Sequence, residues 1–102
     1  MLAIRPNCEC CDKELPANSK EAYICSYECT FCKKCLDEIL QNVCPNCGGG
    51  LTARPIRPAT SRRKGLGLAY QPAEKKRTYS KYSKEEISIF SEAVKDISPE
   101  ER

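Results

Sequence analysis

Apolar residues recur with helical spacing along two stretches of the chain. Leu36, Ile39, Leu40 and Val43 follow an i, i+3, i+4, i+7 stripe among charged and amide side chains, which predicts one helix with a single buried face. Thr30 is the expected N-cap and Asn42 the expected stop. That placement puts Cys32 and Cys35 on the first turn, where free N–H groups and the positive end of the helix dipole favour a thiolate site of net negative charge. Farther along, Ser83-x-x-Glu86 reads as a capping box, and Ile87, Phe90, Val94 and Ile97 form one stripe with Ala93 beside it. These predict an amphipathic helix over residues 83–97, followed by a frayed terminus over 98–102. An isolated helix of about 14 residues is marginal in water, so this one is expected to dock on the rest of the chain, pair with another copy, or form on a partner. Tyr23-Ile24 is a short β-prone pair, half of a small hairpin. Leu15 and Leu51 complete the core candidates.

So few apolar positions do not make a self-sufficient core, and composition supplies the missing support. The chain has 102 residues, room for one small domain with an appendage, and all nine of its cysteines fall within the first 47. A chain segment that short needs metal, disulfides or a partner. The cysteines come in C-x-x-C units that aim two thiolates at one ion, a gap poorly suited to a local disulfide, and their number is odd. The opening Met1-Leu2-Ala3-Ile4-Arg5-Pro6-Asn7 lacks the apolar run of a secretory signal, and no stretch has transmembrane length. The expectation is a soluble, reduced, cytoplasmic, metal-binding chain without membrane contact.

In order, eight cysteines read C-x2-C, thirteen residues, C-x3-C-x2-C-x2-C, eight residues, C-x2-C. They are Cys8, Cys11, Cys25, Cys29, Cys32, Cys35, Cys44 and Cys47, with Cys10 left as a spare ligand or a passive neighbour. Eight soft ligands suit two closed tetrahedral Zn²⁺ sites, split either sequentially or in an interleaved order. Glycines after Cys47 let the backbone turn its amides toward the sulfurs. Lys33 and Lys34 are the nearest counter-charges in sequence.

The ordered spacing, the helix after Cys35 and the final Cys44-Pro45-Asn46-Cys47 resemble a RING finger. That resemblance implies interleaved pairing: Cys8, Cys11, Cys32 and Cys35 on one ion, and Cys25, Cys29, Cys44 and Cys47 on the other. The implied fold is a small metal-bound α+β unit, RING-like or treble-clef, with a short hairpin, one helix and two knuckles. A sequential split, as in tandem zinc ribbons, would instead join Cys8 and Cys11 to Cys25 and Cys29. Ubiquitin-ligase members of the RING family carry an apolar residue after the first cysteine, an aromatic on the helix and often an arginine past the last cysteine. Here stand Glu9, no tryptophan, and Gly48; only Pro45 matches. Residues 1–58 also resemble a bacterial family of short cysteine-rich proteins of unassigned function. The shared features are Arg5-Pro6-Asn7-Cys8-Glu9-Cys10-Cys11-Asp12-Lys13, Glu28-Cys29-Thr30-Phe31-Cys32, Cys44-Pro45-Asn46-Cys47-Gly48-Gly49 and Arg54-Pro55-Ile56-Arg57-Pro58. The resemblance implies a cysteine-rich zinc-binding domain complete near residue 58.

The net charge of +3 hides a segregation: −2 over residues 1–53, +9 over 54–84 and −4 over 85–102. Residues 59–82 are expected to be a disordered basic linker. Arg54, Arg57, Arg62, Arg63, Lys64, Lys75, Lys76 and Arg77, interleaved with Tyr70, Tyr79 and Tyr82, are candidates for phosphate contact and base stacking; the bland alternative is a solvated linker. Catalysis finds little support, since the chain has no histidine and closed metal sites leave no open position. The sequence therefore points to a structural-zinc module acting as a protein-interaction or regulatory adaptor. Nucleic-acid binding through the basic tail and metallothionein-like zinc storage are the alternatives, and a ligase role is the least supported.

Overall fold

The computed structural model describes residues 1–102 as an N-terminal cysteine-rich body with the C-terminal half wrapped around it. Strand β1 (Ala22–Ile24) pairs antiparallel with β2 (Thr30–Cys32), placing Tyr23 opposite Phe31. This is the expected hairpin, with Cys25 and Cys29 in its loop. A third short strand, β3 (Thr52–Ala53), adds to the other edge of β1 and gives the order β2-β1-β3. Helix α1 (Lys33–Cys35) leaves β2 directly and widens into a π-helical turn over Leu36–Leu40, closed by the Gln41 N–H donating to the Leu36 carbonyl at 2.8 Å. Leu36, Leu40 and Val43 are buried, as the stripe requires, whereas Ile39 is half-buried. The helix stops at two left-handed residues, Gln41 (φ 49°) and Asn42 (φ 62°), and the Asn42 Oδ1 accepts from the Leu51 N–H at 2.8 Å.

One expectation fails at the start of this helix. Thr30 belongs to β2, and its hydroxyl donates to the Glu28 carbonyl at 3.0 Å. The N-cap is Cys32, whose sulfur accepts from the Cys35 N–H at 3.4 Å. A cysteine sulfur has taken the place of the hydroxyl cap.

The late helix α2 (Lys84–Val94) has the capping box read from Ser83 and Glu86, with both reciprocal hydrogen bonds formed. It docks on the module. Ile87 is buried in the core with Phe31, Leu15 and Leu40, and the Ser91 hydroxyl, also buried, donates to the Leu40 carbonyl at 2.6 Å. The buried pair is thus Ile87 and Ser91 at i, i+4, while Phe90 and Ile97 of the expected stripe stay 39% and 43% exposed. Residues 98–102, expected to fray, form a 3₁₀ turn over Pro99–Glu101 and are pinned by Arg102, whose guanidinium donates to the carbonyls of Asn42 (2.8 Å) and Gly48 (3.2 Å).

The expected linker, 59–82, carries no helix or strand, yet it does not hang free. Its second half runs along the N-terminal loop as a strap. Glu74 N–H donates to the Ile4 carbonyl (2.9 Å), Thr78 N–H to Asn7 Oδ1 (3.2 Å) and Ser80 N–H to the Glu9 carbonyl (2.9 Å), while Asn7 Nδ2 returns a bond to the Thr78 carbonyl (2.9 Å). Arg77 then clasps Asp12 and Glu14. Backbone groups that a disordered tail would leave to water are paired with the module.

Candidate metal centre

The sulfurs of Cys8, Cys11, Cys32 and Cys35 lie within 4.8 Å of one another. Cys8 and Cys11 come from a tight N-terminal loop, closed by the Cys8 N–H to Lys13 carbonyl bond (2.9 Å) and by left-handed Asp12 (φ 67°) just after Cys11. Cys32 and Cys35 come from the β2–α1 junction. The Cys11 and Cys32 sulfurs are 3.7 Å apart. Four sulfurs at about 2.3 Å from a central ion define a tetrahedron with edges of about 3.8 Å, so this separation already has the size of a zinc–thiolate shell. Backbone amides point inward as well: the Cys11 N–H reaches the Cys8 sulfur at 3.5 Å and the Cys35 N–H reaches the Cys32 sulfur at 3.4 Å. Such N–H···S bonds stabilise charge on thiolate ligands.

Cys25, Cys44 and Cys47 form a second group within the same span. The Tyr27 N–H meets the Cys25 sulfur at 3.3 Å, and the Gly49 N–H meets the Cys47 sulfur at 3.4 Å. Gly48 (φ 81°) turns the chain after Cys47, as Asp12 does after Cys11, and its amide donates to the Cys44 carbonyl at 2.7 Å. A side chain at Gly48 would also meet the Phe90 ring of α2 at 3.5 Å. Cys29 is not in this group. It lies beside it, buried, where the Cys44 thiol, then Asn46 and Cys25, lower the sulfur to about 5.

Sulfurs of the first and third pairs therefore gather together, and so do one sulfur of the second pair and both of the fourth. A sequential split would need Cys8 and Cys11 against Cys25 and Cys29, which the fold does not bring together. Thiol pKa values are displaced in both clusters: Cys8 is pushed up to about 12 by the facing Cys35 thiol and by burial, and Cys25 to about 11 chiefly by burial. Both clusters are thiol-rich, free of disulfides and of the right span to hold a metal ion.

Cys10 stands outside both groups, half-buried, its sulfur lowered chiefly by the Cys35 thiol. Replacing Cys10 with Ser is expected to leave metal content and melting temperature unchanged. Loss of an ion on that change, measured by elemental analysis, would make Cys10 a ligand.

Glu9 escaped the sequence analysis as a site residue. It stands where RING ligases carry an apolar residue, yet it is buried, 4% exposed. Its Oε2 accepts from Arg5 Nη1 (2.8 Å) and the Thr30 N–H (2.7 Å), and its Oε1 from Asn46 Nδ2 (3.2 Å). The signal was present as Arg5 four residues earlier, an i, i+4 ion pair outside any helix.

The candidate phosphate contacts separate into two sets. Arg54 is buried, donating to the carbonyls of Arg5 (2.8 Å), Pro16 (2.9 Å) and Leu15 (3.3 Å), and burial lowers its pKa. Arg57 donates to the carbonyls of Gln71 (2.8 Å) and Leu2 (2.6 Å), and Arg77 is held by Asp12 and Glu14. These three guanidiniums are structural. Arg62, Arg63, Lys64, Lys75 and Lys76 are exposed. No helix is long and apolar enough to cross a membrane.

Residues 1–57 match the family described as "Protein of unknown function (DUF1272)". The chain belongs to that family. A relative is an uncharacterized protein of Rhizobium meliloti (strain 1021), 56% identical over 64 residues that span 63% of this chain and 76% of the relative. No solved structure matches. Both cysteine clusters of this DUF1272 chain lie inside the matched residues, whereas α2 and the whole of the strap lie beyond them.

Proposed function

We propose that the protein is a structural-zinc module that holds two ions and acts as a protein-interaction adaptor. The observation that carries this is the interleaving of the two cysteine groups. Each ion would join chain segments far apart in sequence, so binding metal is the same event as folding. Soft thiolates in a tetrahedral arrangement suit Zn²⁺. Cys29, lying against Cys44 and Cys25, completes the second set. Closed four-thiolate sites leave no position for substrate, which supports a binding role over catalysis. The exposed apolar residues of α2 and the turn after it, Ile89 at 69% and Ile97 at 43%, are the natural protein-contact surface. Pro45, the one feature shared with ligases, is buried and faces a groove of about 330 Å³ that α2 lines with Ile87 and Phe90.

Metal analysis of the purified chain tests this reading. Two zinc ions per chain, resistant to exchange, are expected. The cobalt-substituted protein should show a four-thiolate tetrahedral spectrum unchanged by added cyanide. Three or four labile ions would move the chain to metal storage, and a cyanide-sensitive spectrum would reveal an open, reactive site. Cys29→Ser should retain the ion of the first cluster and loosen the second.

A further inference from the structure

The strap is preceded by a structured loop, residues 58–71, just past the end of the family match at residue 57. Its base is closed by the Leu68 N–H donating to the Pro58 carbonyl at 2.9 Å. Gln71 braces the interior: its Oε1 accepts from the Gly67 N–H (3.2 Å) and its Nε2 donates to the Gly65 carbonyl (2.8 Å). Arg57 then locks this base to the N-terminus through the carbonyls of Gln71 and Leu2. Gly67 is required where it stands, since at φ 127° a Cβ would sit 3.2 Å from the Pro58 carbonyl oxygen. The loop is thus tied at its base and braced across its interior by these bonds.

That tip is Arg62-Arg63-Lys64, all exposed. No carboxylate occurs between Glu38 and Glu74 in sequence, and the ion pairs of the chain use Arg5, Lys13, Lys33, Arg77 and Lys95, none from the tip. The structural arginines of the strap are satisfied; these three cations are not. Within the same loop Tyr70 is 59% exposed, and Leu66 is 54% exposed.

We infer that the 58–71 loop is a binding site for single-stranded nucleic acid. Guanidinium forks match phosphate oxygens, and an exposed phenol ring gives an unpaired base a face to stack on. A lipid surface fits less well, because one exposed leucine makes no apolar face to insert. The inference rests on the zinc-folded module only as the platform that anchors Arg57, and it names a ligand where the adaptor reading names none.

Fluorescence anisotropy with a fluorescein-labelled oligouridylate tests it, with zinc content measured on the same samples. The full chain should bind, and log K should fall against log salt with a slope of about −2 for three phosphate contacts on a single strand. Replacing Arg62, Arg63 and Lys64 together with Ala should weaken binding at least tenfold at unchanged zinc content and melting temperature. Tyr70→Ala should weaken it by roughly fivefold to a hundredfold with little change in salt slope. Absence of binding by zinc-replete protein overturns the inference, as does a triple variant that binds like wild type. Equal affinity for the same strand in a duplex, or for phosphatidylglycerol vesicles, would also overturn it in favour of a general polyanion surface. A wild-type sample lacking zinc yet binding through the loop would instead sink the zinc reading alone.

Discussion

Chelating the metal under reducing conditions is expected to unfold the chain. The sheet comprises only two three-residue strands and one of two residues, and α1 with its π turn spans eight more. The largest fully enclosed side chains, Phe31, Ile4, Leu15, Leu40, Ile87 and Val43, are interleaved with cysteines: Cys8, Cys32 and Cys44 are as deeply buried as any of them. Much of the interior is therefore sulfur. Without an ion those thiols contribute only as small apolar groups, whereas structural zinc in small fingers supplies about 10–16 kcal/mol of apparent folding free energy. Domains are stable by about 5–15 kcal/mol in all, so withdrawing such a term leaves nothing to hold the fold. Loss of amide dispersion and of the cooperative melt, restored by added zinc, is the expected result. Cys35→Ser and Cys44→Ser should each reproduce it, because each removes a buried sulfur from one of the two groups. A chelated, reduced chain that still melts cooperatively would show that the six large apolar side chains suffice by themselves.

What could be read from the sequence, and what could not, divides along local and distant interactions. The capping box at Ser83 and Glu86 was legible because both partners lie within four residues and recognise each other's backbone. The hairpin through Tyr23 and the buried Leu36, Leu40 and Val43 were legible by periodicity. At Thr30 the residue type was a good cap but the tertiary register was wrong: pairing with β1 holds it in a strand, and Cys32 caps instead. The strap was missed for a different reason. Its ties to the module join Ile4 to Glu74, Asn7 to Thr78 and Glu9 to Ser80, mostly through main-chain groups, which carry no composition signal. Arg54 shows the same limit. Composition marks a cation, but only the fold shows that three carbonyls surround it. On α2 the stripe overstated burial, since Ser91, polar in sequence, is buried by its bond to Leu40 while Phe90 stays at the rim over Gly48.

Replacing Glu9 with Ala is expected to destabilise the metal-loaded chain by about 3–5 kcal/mol, because it removes a buried carboxylate that accepts three hydrogen bonds. Several groups lose their acceptor at once. Arg5 would keep a half-buried guanidinium without its counter-charge; burial acts to lower its pKa, and the bond and ion pair with Glu9 now more than offset that. The Thr30 N–H would be left buried without its side-chain acceptor, and Asn46 Nδ2 would lose its acceptor as well. Position explains why the damage would spread. Glu9 lies between Cys8 and Cys10 in the first loop, Thr30 follows Cys29, and Asn46 lies between Cys44 and Cys47, so one carboxylate ties the loop of the first cysteine cluster to the final pair of the second and to the strand that follows Cys29. Glu9→Gln keeps one carbonyl oxygen for the Thr30 N–H and Arg5 but sets an amide N–H₂ against the Asn46 amide donor, so a smaller loss of about 1–3 kcal/mol follows. Thermal melts of zinc-replete wild type, Glu9→Ala and Glu9→Gln check the order. For a domain of this size, 3–5 kcal/mol amounts to a fall of about 12 °C or more in Tm. The double change Arg5→Ala with Glu9→Ala separates pairing from tethering. If the carboxylate serves only to neutralise Arg5, the double variant regains most of the loss; if it tethers the two clusters, the double variant stays as unstable as Glu9→Ala. A Glu9→Ala chain melting within a degree or two of wild type would make the carboxylate a bystander and leave the two clusters joined only through the backbone.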